Sequence, residues 1–97
     1  MIRFLDITLI LIIMDKTIKL RVKKEMDNSH ELKVLNLKGR LISGGYTEII
    51  HIADEDADFY LNSFSIAASQ RKEAEDFVLE YISSHDLSDT VTLLPIK

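Results

Sequence analysis

Residues 67–84, AASQRKEAEDFVLEYISS, constrain the fold more than any other stretch, because only there is the helical period unmistakable. Ala74, Phe77, Val78, Tyr81 and Ile82 recur at spacings of three, four, seven and eight, which places them on one stripe of a helix. Gln70, Arg71, Glu73, Glu75, Asp76 and Glu80 fill most of the remaining surface, so one face needs a partner and the other does not. Ser69, with Ser65 as a rival, is the candidate N-cap. Ser83, Ser84, His85 and Asp86 carry no apolar period and end the helix. No second helix of comparable quality is apparent, which leaves a sheet as the partner.

The rest of the chain reads as strands. Residues 17–24 alternate strictly, with Ile18, Leu20 and Val22 on one face and Lys19, Arg21 and Lys23 on the other, the pattern of a half-exposed strand. Asp27-Asn28-Ser29-His30 is a cluster of turn formers, and residues 32–42 read as a second strand, blurred by the run Val34-Leu35-Asn36-Leu37. Together these two segments predict a basic hairpin over 17–40. Ser43-Gly44-Gly45 is a loop signal. Further strands are expected over 46–53, 59–66 and 90–94, the last ended by Pro95, which has no N–H to give a ladder.

Residues 1–14, MIRFLDITLILIIM, are the most apolar stretch. They are too short, and too interrupted by Asp6, for the roughly 20 residues of a transmembrane helix. They also lack the basic start and small-residue cleavage site of a signal peptide. The reading is an N-terminal β-strand, or an extension upstream of a natural start at Met14. The fold expected is therefore α+β: one domain over 15–97 with a four- to six-stranded, mostly antiparallel sheet. One helix at about 67–84 covers a face of it, in the order β-β-β-β-α-β with an extra N-terminal strand. Phe77, Val78, Tyr81 and Ile82 should meet Ile18, Leu20, Val22 and Phe64 in the core.

Composition narrows the function classes. Apolar residues make up 46% and charged residues 29% of 97, ordinary proportions for a folded domain. The chain has no cysteine, which excludes disulfides, a thiolate nucleophile and cysteine-based metal sites, and a cytoplasmic location is the expectation. The net charge of −4 conceals a polarity: residues 15–40 hold eight Lys/Arg against four acids, and residues 46–97 hold three against eleven.

Three constellations bear on chemistry. His51 with Asp54, Glu55, Asp56 and Asp58 has the residue types of an oxygen-ligand metal site, but the spacing lacks the alternating acids and central glycine of a calcium loop, so a solvated acidic turn is expected. Ser83, Ser84, His85 and Asp86 have the residue types of a hydrolase triad, without the Gly-x-Ser-x-Gly elbow. The glycines fit no phosphate-cradling motif. No catalytic residue, metal or cofactor is therefore assigned. The leading expectation is a non-enzymatic protein-interaction module of the inhibitor, immunity or accessory kind. It would present an acidic surface of Asp54, Glu55, Asp56, Asp58, Glu73, Asp76 and Glu80 to a protein partner. The alternative is a nucleic-acid binder using Lys19, Arg21, Lys23, Lys38 and Arg40 on the basic face of the 17–40 hairpin. A homodimer through the N-terminal strand would bury what one helix leaves uncovered.

Overall fold

The computed structural model describes residues 16–95. The expectations for residues 1–14, both the strand and the dimer built on it, lie outside the described residues. Elements follow in the order β1 (Lys16–Lys23), α1 (Asn28–Ser43), β2 (His51–Asp54), β3 (Phe59–Ile66), a 3-10 turn (Ala68–Gln70), α2 (Arg71–Ser84) and β4 (Val91–Leu93). The strands form one antiparallel sheet in the order β2-β3-β1-β4. Because β1 pairs antiparallel with both β3 and β4, each helix joins two strands that run the same way with a third between them. This is the split βαβ arrangement.

The α+β class and the antiparallel sheet agree with the sequence reading, and β3 has the expected limits. The helix expected over 67–84 is α2, which begins only at Arg71 and takes no side-chain cap from Ser69. Of the strand expected over 46–53, only the end forms, as His51–Asp54. The strand expected over 32–42 is a helix, and there is no basic hairpin. Asp27, read as part of a turn, is its N-cap: Oδ1 accepts the His30 N–H at 2.8 Å. At the other end Gly45 takes φ +82°, Tyr46 N–H donates to the Leu41 carbonyl at 3.1 Å and Gly45 N–H to that of Ile42 at 3.1 Å, a Schellman stop. Val34, Leu37 and Leu41 point into the core at helical spacing. Leu32, Leu35 and Ile42 lie outside it, and these extra apolar residues hid the period.

Both helices pack on the same face of the sheet. The core joins Ile18, Leu20 and Val22 of β1 and Phe64 and Ile66 of β3 to Val34, Leu37 and Leu41 of α1 and Ala74, Val78, Tyr81 and Ile82 of α2. Phe77 is at the rim, partly buried and stacked on Tyr46 at 5.9 Å between ring centroids, not in the centre as the periodicity suggests. Tyr81 locks the two helices together: its hydroxyl donates to the Lys33 carbonyl at 2.9 Å and accepts from Asn36 Nδ2 at 2.9 Å. Asn62 of β3, fully buried opposite Leu20 and Ile52, makes no side-chain hydrogen bond among the described residues.

Candidate functional site

The acidic residues do not share one surface. Asp54, Glu55, Asp56 and Asp58 form the tip of the β2–β3 hairpin beside the end of β1, where Lys24 N–H donates to the Asp58 carbonyl at 2.9 Å. Glu73, Asp76 and Glu80 are on α2, which begins at the far end of β3, a strand about 25 Å long. Most of the acids are engaged. Arg21 grips Glu55 through two bonds of 2.6 and 2.9 Å, which hold the Glu55 carboxyl below its usual range. Asp54 faces Lys24 at 3.1 Å and Asp76 faces Lys72 at 3.4 Å. Asp56 Oδ1 accepts the N–H groups of Asp58 and Phe59, fixing the turn. Tyr46 donates its hydroxyl proton to Glu73 at 2.8 Å, and that acceptor raises the phenol's pKa.

The basic residues divide between two layers. Lys19, Arg21 and Lys23 project from the sheet face opposite the helices, as their alternation requires. Phe59 lies directly across from Lys23 on the same face, and Arg21 sits 5.6 Å from its ring centroid, so the row has an aromatic neighbour that the sequence did not place there. Lys38 and Arg40 belong to α1, on the other side of the sheet. Arg40 lies 5.9 Å from the Tyr81 ring centroid.

The two chemistry-bearing clusters are equally informative. Among the described residues no group of three or more His, Asp or Glu side chains converges as metal ligands. Ser84 Oγ and His85 Nδ1 approach to 3.0 Å, but Nδ1 is also 3.0 Å from the Tyr81 carbonyl. A carbonyl only accepts, so that bond requires the proton on Nδ1 and leaves the basic lone pair on Nε2, away from the serine. The pair caps a helix end, with the imidazole stacked 3.8 Å from the Tyr81 ring.

The feature that sequence reasoning missed is apolar. Among the described residues seven large hydrophobic side chains are exposed, at 36–67% of their surface, and six lie along α1 and the β2 side of the sheet: Leu32, Leu35, Ile42, Ile49, Ile52 and Tyr60. The seventh, Leu79, is on α2. Leu35, Ile52 and Tyr60 line a cleft of about 300 Å³ with Glu31 and Lys38 at its border, and Ile42 and Ile49 line a neighbouring hollow. Below them β2 is the edge of the sheet, and all four of its residues are exposed. The signal was present as Leu32, Leu35 and Ile42 in excess of what a core-facing helix needs, but it was interpretable only once 28–43 was known to be helical.

No family model, curated protein or solved structure matches the chain. Among the described residues no helix is long and apolar enough to cross a membrane.

Proposed function

We propose that the protein is a small non-enzymatic protein-interaction module whose contact surface is the flank formed by α1 and β2, rimmed by the acids of the 54–58 turn. The observation that carries this reading is the gathering on that flank of six of the seven large apolar side chains exposed among the described residues, beside a strand edge that none of those residues pairs. Apolar side chains gathered on one flank cost free energy in water, and a strand edge offers a row of backbone donors and acceptors. A protein surface satisfies both at once. The acids at the hairpin tip suit a polar rim, which sets orientation and encounter rate more than affinity. The test is a photo-crosslinking amino acid placed at Leu35 or at Leu79 in the expressing cell. Adducts are expected from position 35 and not from 79, and their absence at 35 would end this reading.

The open sheet face supports a second reading, single-stranded nucleic acid, on one observation: Phe59 beside Arg21 and Lys23 supplies the aromatic platform such sites combine with a cationic row. Glu55 counters it by occupying Arg21. Binding of labelled single-stranded RNA or DNA at low salt should weaken on Lys23→Glu and on Phe59→Ala. An absence of binding at low salt removes this reading.

A further inference from the structure

The α1 flank carries a charge pattern with a particular symmetry. Glu31, Leu35 and Lys38 follow one another along one side of the helix and share the cleft with Ile52 of β2. The two positions are seven residues apart, a rise of about 10.5 Å along the helix axis, with the leucine near the midpoint. Neither Glu31 nor Lys38 makes an ion pair among the described residues. Lys38 is half-buried at the cleft, and this desolvation alone pushes its ammonium pKa down.

A two-fold axis perpendicular to the sheet at the β2 edge pairs β2 antiparallel with a second β2 and keeps all four helices on one side. The same axis reverses α1 against its copy. The order Glu31, Leu35, Lys38 then faces Lys38, Leu35, Glu31, so each carboxylate meets an ammonium and the two leucines meet between them. Self-complementarity under reversal is what an isologous interface demands, whereas a foreign strand or helix places no such demand on this sequence.

We infer that the flank is closed by a second copy of this chain, in a two-fold dimer that pairs β2 with β2 and sets Glu31 of each protomer against Lys38 of the other. The inference rests on the reading of this flank as a docking surface. It accounts for three features together: the apolar cleft, and, both without a partner among the described residues, the β2 edge and a half-buried lysine. Leu32 and Ile42 extend the contact along the helix, and the Ile52 side chains of the two copies fill the trough between the helices.

Sedimentation of the full chain tests the idea, with Glu31→Lys, Lys38→Glu and the double exchange compared with the parent. The parent should sediment at twice 11.1 kDa. Each single reversal creates two like-charge contacts and should weaken dimerisation on the order of tenfold or more. The double exchange restores opposite charges and should return the dissociation constant to within about threefold of the parent, an expectation that follows from the coupling of paired charges. Both positions border solvent, and circular dichroism is the check that each variant is folded. A parent that stays monomeric at about 100 μM, well above the micromolar range of modest complexes, overturns the inference. So does a dimer indifferent to either reversal, or a folded double exchange that fails to recover. Crosslinked adducts from Leu35 that never have twice the chain's mass sink the dimer and leave the docking surface standing. No adduct from Leu35 removes both.

Discussion

The two helices of this protein bury comparable inner faces and present very different outer ones. Helix α2 sets Ala74, Val78, Tyr81 and Ile82 against the sheet, and its solvent side is charged and internally paired, Arg71 with Glu75 at 3.5 Å and Lys72 with Asp76 at 3.4 Å. Helix α1 buries Val34, Leu37 and Leu41, yet its outer side carries Leu32, Leu35 and Ile42. A helix that only closed a core would have no use for those three. The contrast separates what the fold requires from what it leaves over, and the surplus is on the helix beside the open edge.

The contrast breaks first at the inner faces, where the two helices should respond alike. Leu37→Ala and Val78→Ala each remove a fully buried side chain. Chemical denaturation should show losses of about 2–4 kcal/mol for the leucine and somewhat less for the valine. A negligible loss at either site would mean that its helix is not part of one cooperative core.

The outer faces should then diverge. Leu35→Asp is expected to weaken self-association at least tenfold by sedimentation, the loss typical of a central apolar contact, while Leu79→Asp leaves it unchanged. Equal effects would erase the distinction between the helices.

The strand beneath them offers a gain. Asn62 is buried without a side-chain partner, so Asn62→Val removes an unsatisfied amide and adds a β-branched side chain, and should raise stability by about 1 kcal/mol. A loss of stability would show that the amide has a role its contacts do not display.

The two helix ends come next. Both close with the same hydrogen-bond pattern, Leu87 N–H donating to the Ile82 carbonyl at 2.9 Å in α2, but the left-handed position is Gly45 after α1 and Asp86, at φ 57°, after α2. Gly45→Ala should therefore cost about 1 kcal/mol and Asp86→Gly recover somewhat less than that, read from melting curves.

The smallest effect concerns pH. Asp27 has its pKa lowered chiefly by the His30 N–H, whereas α2 has no side-chain cap. A depressed carboxyl contributes stability that is present above its unfolded pKa and lost as pH falls through the folded value. Hydrogen exchange at residues 28–31 should accordingly quicken, relative to 71–74, as pH drops below the ordinary aspartate range. Asp27→Asn keeps the cap without the titration and should flatten the difference.

Much of the fold was legible without coordinates. The alternation of residues 17–24 places Lys19, Arg21 and Lys23 on the outer face because a strand's side chains point to opposite sides in turn. The stripe in 74–82 specifies α2 because nothing apolar on its other side except Leu79 competes with the pattern. Helix α1 was not legible for the reason that makes it interesting. Its outer leucines filled in the helical period until 32–42 resembled a continuous apolar strand, a conflict between local pattern and global fold of the kind that gathers at functional surfaces.

By itself, then, the sequence determined the α+β class, the limits of β3, the final turn of α2, and the separation of core and solvent faces on β1, all of which follow from local periodicity. Only the tertiary structure decided that residues 28–43 are a helix packed on the sheet, that the acids divide between the hairpin tip and α2, and that Lys38 and Arg40 stand across the sheet from Lys19, Arg21 and Lys23. It also decided that Glu31, Leu35 and Lys38 share a cleft with Ile52. These are long-range relations: the order β2-β3-β1-β4 is fixed by which apolar faces can be buried together, and no window of neighbouring residues contains that information.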